Sequence, residues 1–217
     1  MSRILKAAAL FDWPARTIGK LSSWVILPLI AIIMFDVITR KIDFVRLWLA
    51  NSNLSWFNPI IFQDSEWHLH AIIVLLSFGY GYLLNAHVRV DIFRELAPPR
   101  AQAKLELFGL VVLGIPFLVL ITYFAGEFVA LSISQNEGSE SLTGIPARYI
   151  VKSLLVVSFV LVLCSFLATV LRLLGWLYGN AATKEQAAKE LHIFAHEDVK
   201  LEAEPIQAEL AAKKEQP

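Results

Sequence analysis

From Leu107 to Gly126 the chain carries no charge at all, and the apolar run continues past Glu127 to Leu131. A segment of that kind has few places to go. About 20 mainly apolar residues are what a helix needs to cross roughly 30 Å of hydrocarbon at 1.5 Å per residue. Three further runs have the same character. They cover about residues 21–38, broken late by Asp36; about 69–84; and about 153–178, with Arg172 near the end. Lipid offers backbone groups no partners, so each run must satisfy its own hydrogen bonds as a helix. All are too long for the strands of a membrane barrel. The expected fold is therefore an all-α integral membrane protein with four transmembrane helices. It divides into an N-terminal segment (1–20), a four-helix membrane domain (21–178) and a charged tail (179–217).

Composition agrees with that reading. Of 217 residues, 57% are hydrophobic and only 18% charged, too few charges to wet the surface of a small globule. Net charge is zero, which gives no support for a nucleic-acid partner, but the charge is unevenly placed. The last 37 residues hold five lysines against eight acids, leaving the remainder net basic. Lys and Arg in the short flanking segments set orientation. With the N-terminus inside, nine lie on the inner side (Arg3, Lys6, Arg16, Lys20, Arg89, Arg94, Arg100, Lys104, Arg172) and five on the outer (Arg40, Lys41, Arg46, Arg148, Lys152). Both termini are thus expected in the cytoplasm. The first run is long and no small-residue cleavage site follows it, so it reads as a retained anchor rather than a secretory signal.

Between the first two spans, 41–65 carries Phe44, Trp48, Trp56, Phe57 and Phe62, side chains suited to the membrane–water boundary. Two readings stand: an amphipathic piece lying on the outer surface and ended by Asn58-Pro59, or an ordinary ordered loop. The tail is rich in Ala, Glu and Lys, with helix-supporting pairs Glu185/Lys189 and Glu209/Lys213 and an interruption at Pro205. It reads as a solvated helix that frays, the alternative being a docking arm.

Ionisable residues in or near a span each call for a hypothesis. Asp36 and Arg40, four apart, lie about 40° from each other around a helix and can pair at its outer end. Glu127 has Arg148 or Lys152 as candidate partners; a lone carboxylate makes a poor cation site. Asp64, Glu66, His68 and His70 cluster at the outer end of the second span. His68 and His70 point about 200° apart and cannot share a metal, while Glu66 and His70 share a face. Two ligands without a third are weak grounds for zinc. A di-haem arrangement needs opposed histidines on different helices, and spans one, three and four contain none. The single cysteine, Cys164, reads as a small packing residue. No metal, no cofactor and no catalytic group is expected. Packing devices remain: Gly79, Gly81, Gly109, Gly114 and Gly126, the Cys164/Ala168 and Ser165/Thr169 spacings, and a kink at Pro116.

Four short strings then carry a resemblance. Asn85-Ala86-His87-Val88-Arg89-Val90-Asp91 follows a span containing Gly79-Tyr80-Gly81-Tyr82. Asp36-Val37-Ile38-Thr39-Arg40 ends the first span, Glu66-Trp67 opens the second, and Thr143-Gly144-Ile145-Pro146 precedes the fourth. In this order and spacing, over about residues 18–178, the chain resembles the small, DctQ-like membrane subunit of TRAP transporters. These are the tripartite ATP-independent periplasmic transporters of bacteria and archaea. The chain departs from that pattern in having Ser153-Leu154-Leu155 where members often carry proline, and in its longer outer segment. The long outer segment and the Thr-Gly-Ile-Pro-Ala-Arg-Tyr string look like the group paired with binding proteins for keto acids or similar organic acids.

The resemblance implies a non-catalytic subunit of the bacterial inner membrane. A periplasmic binding protein delivers a carboxylate to a membrane pair, and the large membrane subunit carries it by ion-driven symport. The small subunit steadies the large one in the lipid. It also implies that Asp36, Arg40, Glu66, Trp67, His87, Arg89, Asp91, Gly144 and Pro146 serve subunit or lipid contacts or the fold. On this reading Arg89 bonds lipid phosphates or large-subunit carbonyls and His87 with Asp91 braces the turn, the alternative being that they only cap the second span and satisfy the positive-inside bias. Gly144-Ile145-Pro146 forms a tight turn that starts the fourth helix, proline suiting a first helical position. The alternatives are a stand-alone membrane scaffold and a cytochrome-type redox subunit, against which the histidine placement counts.

Overall fold

A computed structural model describes residues 3–42, 44, 47, 59–86, 97–141 and 144–191. Among them the ordered elements are all helical: α1 (Arg3–Ser23), α2 (Ile26–Lys41), α3 (Pro59–Leu83), α4 (Pro99–Phe108), α5 (Ile115–Ser134), α6 (Tyr149–Tyr178) and α7 (Ala181–Glu190). A π-helical stretch, Gly109–Gly114, joins α4 to α5. Among the described residues, three helical stretches are both long and apolar enough to cross a membrane: Arg3–Lys41, Pro99–Ser134 and Tyr149–Tyr178.

The first of these begins well before the apolar run at 21–38, because α1 is helical from Arg3 and only a two-residue turn at Trp24-Val25 separates it from α2. Its 39 residues would reach about 58 Å, nearly twice a bilayer core, so only part of it is needed to span. The reason α1 folds with the bundle lies in its spacing. Leu5, Ala8, Asp12, Ala15, Gly19 and Ser22 recur every three or four residues and are all buried, a stripe narrow enough for close packing on α3 and α6. Leu10, Trp13 and Leu21 stand exposed on the opposite side.

The expected second span, 69–84, lies inside α3 but for its last residue. That helix is 25 residues long, but its first turns carry Asp64, Glu66, His68 and His70, and it is not among the three stretches above. It packs between α1, α2 and α6. The third and fourth runs extend in both cases into longer helices. Pro116 follows directly on the π-helical stretch, where the hydrogen-bond ladder is already shifted, so the irregularity expected at this proline is expressed as a π-bulge.

α6 is the axis of the molecule. Ser158, Leu161, Val162, Ser165, Ala168, Thr169, Arg172, Leu173 and Gly175 are buried along it, and every other long helix but α2 packs on it extensively. Lipid supplies no hydrophobic drive for this association, so it depends on close contact and interhelical hydrogen bonds. Both occur at Gly79. A Cβ there would sit 3.0 Å from the Leu161 backbone, and the Ser165 hydroxyl donates to the Gly79 carbonyl at 3.0 Å. Gly114 abuts Phe166, whereas Gly81, Gly109 and Gly126 face open space rather than a neighbouring helix.

The start of the tail is not merely solvated. α7 folds back so that Ala187 and Leu191 are buried, the latter in a cluster with Ala103, Leu110 and Leu173. Glu185 and Lys189 pair at 2.9 Å, as their spacing predicts. Glu209 and Lys213, and nearly all of the 41–58 segment, lie outside the described residues.

Candidate functional site

Polar side chains gather at two places, one at each end of α6. At its N-terminal end the connection from α5 is pinned by its own backbone. Asn136 takes a positive φ of 47°, the Glu137 amide donates to Ser132 O and the Asn136 amide to Ile133 O, which is how a Schellman motif ends a helix. The Arg148 amide then donates to Glu137 O, closing the loop at 3.0 Å. Side chains reinforce it. The Lys152 ammonium bonds Glu137, and Arg148 Nη1 bonds Glu140 at 2.9 Å. The Lys152 ammonium and the Ser132 hydroxyl hold the Glu137 carboxyl below its ordinary value of 4.5, against a smaller opposing effect of burial.

Asp64 ties this loop to α3. Its Oδ2 accepts the Ile145 amide at 2.9 Å, and its carboxylate accepts the Ser139 hydroxyl. Gly144 sits in the crook, where a Cβ would overlap Ser139 and Asp64 Oδ2. Glycine is demanded here by space, not by dihedral angle. One turn on, the Arg148 guanidinium lies 4.6 Å above the Trp67 ring, a cation–π contact. The His68 ring lies 4.3 Å from the Trp67 ring, tilted by 39°, and its Nδ1 donates to the Asp64 carbonyl at 2.5 Å. Glu66 keeps a buried Oε1 with no partner, while His70 is exposed and makes no bond to Glu66.

Two sequence expectations need correction at this end. Glu127 is exposed and pairs with neither Arg148 nor Lys152, because Glu140 and Glu137 lie closer to those cations along the loop. Pro146 does not open the fourth helix. Ala147 adopts φ 60°, a left-handed geometry no α-helical residue has, and α6 begins only at Tyr149. Asp36 and Arg40 do pair, at 2.9 Å, with Asp36 buried and Arg40 half exposed.

At the other end of α6, Arg172 is only 4% exposed. Its Nη2 bonds Asp12 of α1, and its Nε bonds Glu190 of α7 at 2.8 Å. Arg16 adds a second cation to Asp12 at 3.0 Å. Asp12 Oδ1 is left buried without a partner. Arg172 therefore serves as an internal tie rather than one of the flanking cations. The sequence carried a signal for this: Asp12 is the one acid in an otherwise small and apolar stripe. Its partner, 160 residues away, could not be read from spacing.

His87, Arg89 and Asp91 lie outside the described residues, but the string they belong to starts on a defined geometry. Asn85 takes φ 54°, the Ala86 amide donates to Gly81 O and the Asn85 amide to Tyr82 O, a second Schellman ending. Among the described residues no three His, Cys, Asp or Glu side chains come together as metal ligands.

Residues 29–175 are matched by a family model described as "Tripartite ATP-independent periplasmic transporters, DctQ component". The chain belongs to the DctQ family. As a DctQ protein it is a small membrane subunit of a TRAP transporter, a system that also comprises a large membrane subunit and a periplasmic binding protein. The match spans about two thirds of the chain, from within α2 to near the end of α6, so α1 and α7 lie outside it. No curated protein and no solved structure matches the chain significantly.

Proposed function

We propose that this DctQ protein is a non-catalytic, four-span subunit of the bacterial inner membrane with both termini in the cytoplasm. Its role is to steady the large subunit during ion-gradient-driven uptake of an organic acid. The observation that carries the reading is the division of its surface. Asp36 with Arg40, Glu137 with Lys152 and Asp12 with Arg172 pair toward helix ends, while α2 and α5 leave broad apolar faces, Ile30, Met34, Phe117, Leu120 and Phe124 among them, bare. Such faces suit lipid and other helices. The Asp12–Arg172–Glu190 contact brings the first helix and the start of the tail to one end of the bundle, as a four-span path with same-side termini requires. In this reading 69–84 of α3 supplies the remaining span.

Asp36, Arg40, Glu66, Trp67, Gly144 and Pro146 shape the outer end of the bundle or its subunit and lipid contacts. Arg89 contacts lipid phosphates or large-subunit carbonyls, braced by His87 and Asp91. The test is co-purification with the large subunit and uptake in reconstituted vesicles. Both membrane proteins together, supplied with the binding protein, should transport and this chain with the binding protein alone should not; transport without the large subunit, or a native complex lacking a large multi-span partner, overturns the proposal. Arg89→Ala is expected to reduce the large subunit recovered, and unchanged assembly and uptake removes Arg89 from the interface.

A further inference from the structure

A cavity of about 320 Å³ opens where α4, the end of α6 and α7 meet. Arg100 and Lys104 line it from α4, Trp176, Leu177 and Tyr178 from α6, and Lys184 from α7. Three basic side chains thus converge from two helices onto the aromatic end of a third. None of the three is paired with a carboxylate among the described residues. The nearby acids of α7 are occupied elsewhere, Glu185 with Lys189 and Glu190 with Arg172. We propose that this cavity binds the phosphate of an anionic phospholipid headgroup.

Position argues for lipid. The cavity sits where one membrane-crossing stretch begins, at Pro99, and another ends, at Tyr178, the depth of the headgroups. Trp and Tyr are the side chains favoured at that depth, and Tyr178 is exposed there. Leu177 offers the start of an acyl chain an apolar wall. Basic pockets between helices at this level are suited to anionic headgroups, each Lys or Arg contributing about a fivefold gain in affinity. The cavity is about the size of a headgroup and smaller than most drug-sized ligand sites, which are about 300–1,000 Å³. Bound lipid would also bridge α4 to α7 and so hold the tail against the bundle. The inference rests on the membrane placement of the chain alone and is independent of transport.

The test is native mass spectrometry of the full chain in neutral detergent, offered equimolar phosphatidylglycerol and phosphatidylcholine. Phosphatidylglycerol adducts should dominate by about fivefold or more. Arg100→Gln/Lys104→Gln/Lys184→Gln should bring the two lipids to parity. Arg3→Gln/Lys6→Gln/Lys20→Gln, which removes three exposed cations of α1, should leave the preference intact. Equal retention of the two lipids by the unaltered chain overturns the proposal without recourse to any variant. So does a preference that survives the first triple variant or vanishes with the second. Inorganic phosphate should fail to displace the lipid at millimolar concentration; displacement would assign the site to free phosphate instead.

Discussion

The two ends of α6 solve one problem, holding a loop or terminal helix against a bundle, by different electrostatics. At the C-terminal end a single guanidinium, almost wholly buried, is shared between Asp12 and Glu190. At the N-terminal end the ion pairs Glu137–Lys152 and Glu140–Arg148 lie partly in the open, and the buried work is done by backbone amides, Asp64 and the space left by Gly144. Charges removed from water interact strongly but leave a large penalty if one partner is lost; exposed pairs contribute little either way. The first end should therefore be brittle to single substitutions and the second tolerant of charge changes but intolerant of added volume.

The largest effect should come from Arg172→Met, which leaves buried Asp12 with Arg16 alone and Glu190 with no cation. A loss of about 3–5 kcal/mol is expected, read as a lower thermal unfolding midpoint in detergent. Adding Asp12→Asn and Glu190→Gln should recover most of it, since the only cation then left without its carboxylate, Arg16, is partly exposed. If the triple variant is no more stable than the single one, the triad acts through packing and the contrast between the ends is lost.

Gly144→Ala comes next, at about 1–3 kcal/mol, because the methyl must displace Ser139 or Asp64. Faster amide exchange at Ile145 would locate the damage; an unchanged midpoint would mean the loop relaxes freely. Ser165→Ala, midway between the two ends, removes the hydroxyl that bonds Gly79 and should cost about 1 kcal/mol, an estimate in line with interhelical bonds in lipid. A cost as large as that of Arg172→Met would shift the weight from the ends to the centre of the bundle.

Glu137→Gln should have the smallest effect. The pH dependence has a definite sign. A carboxyl held below 4.5 in the folded chain contributes fully above 4.5, and that contribution disappears as pH falls through its lowered folded value. Exchange protection of the Arg148 amide should accordingly fall only on acidification below 4.5. Protection lost near neutrality would show that Glu137 is not the group that matters.

Much of the helical layout was legible in advance. Long apolar runs predicted the stretches ending at Ser134 and Tyr178, and the four-residue spacing predicted the Asp36–Arg40 and Glu185–Lys189 pairs. Small residues on α6 marked the close contact with Gly79. Where sequence reasoning erred, it assigned long-range partners by proximity in the string: Glu127 for Arg148 or Lys152, Pro146 for a helix start. Loop geometry, through Asn136 and Ala147 at positive φ, redirected both.

What the sequence determined by itself is what depends on local chemistry. Hydropathy and length demand helices, because lipid gives an open backbone no partners, and residues three or four apart on a helix must meet. What only the tertiary structure decided is which distant groups share a buried space. Asp12 reaches Arg172 across 160 residues, α7 docks on Leu173, Asp64 captures Ile145, and three cations from α4 and α7 converge on one cavity. No spacing rule reaches that far, since such contacts are set by how whole helices pack and not by the turn of any one of them.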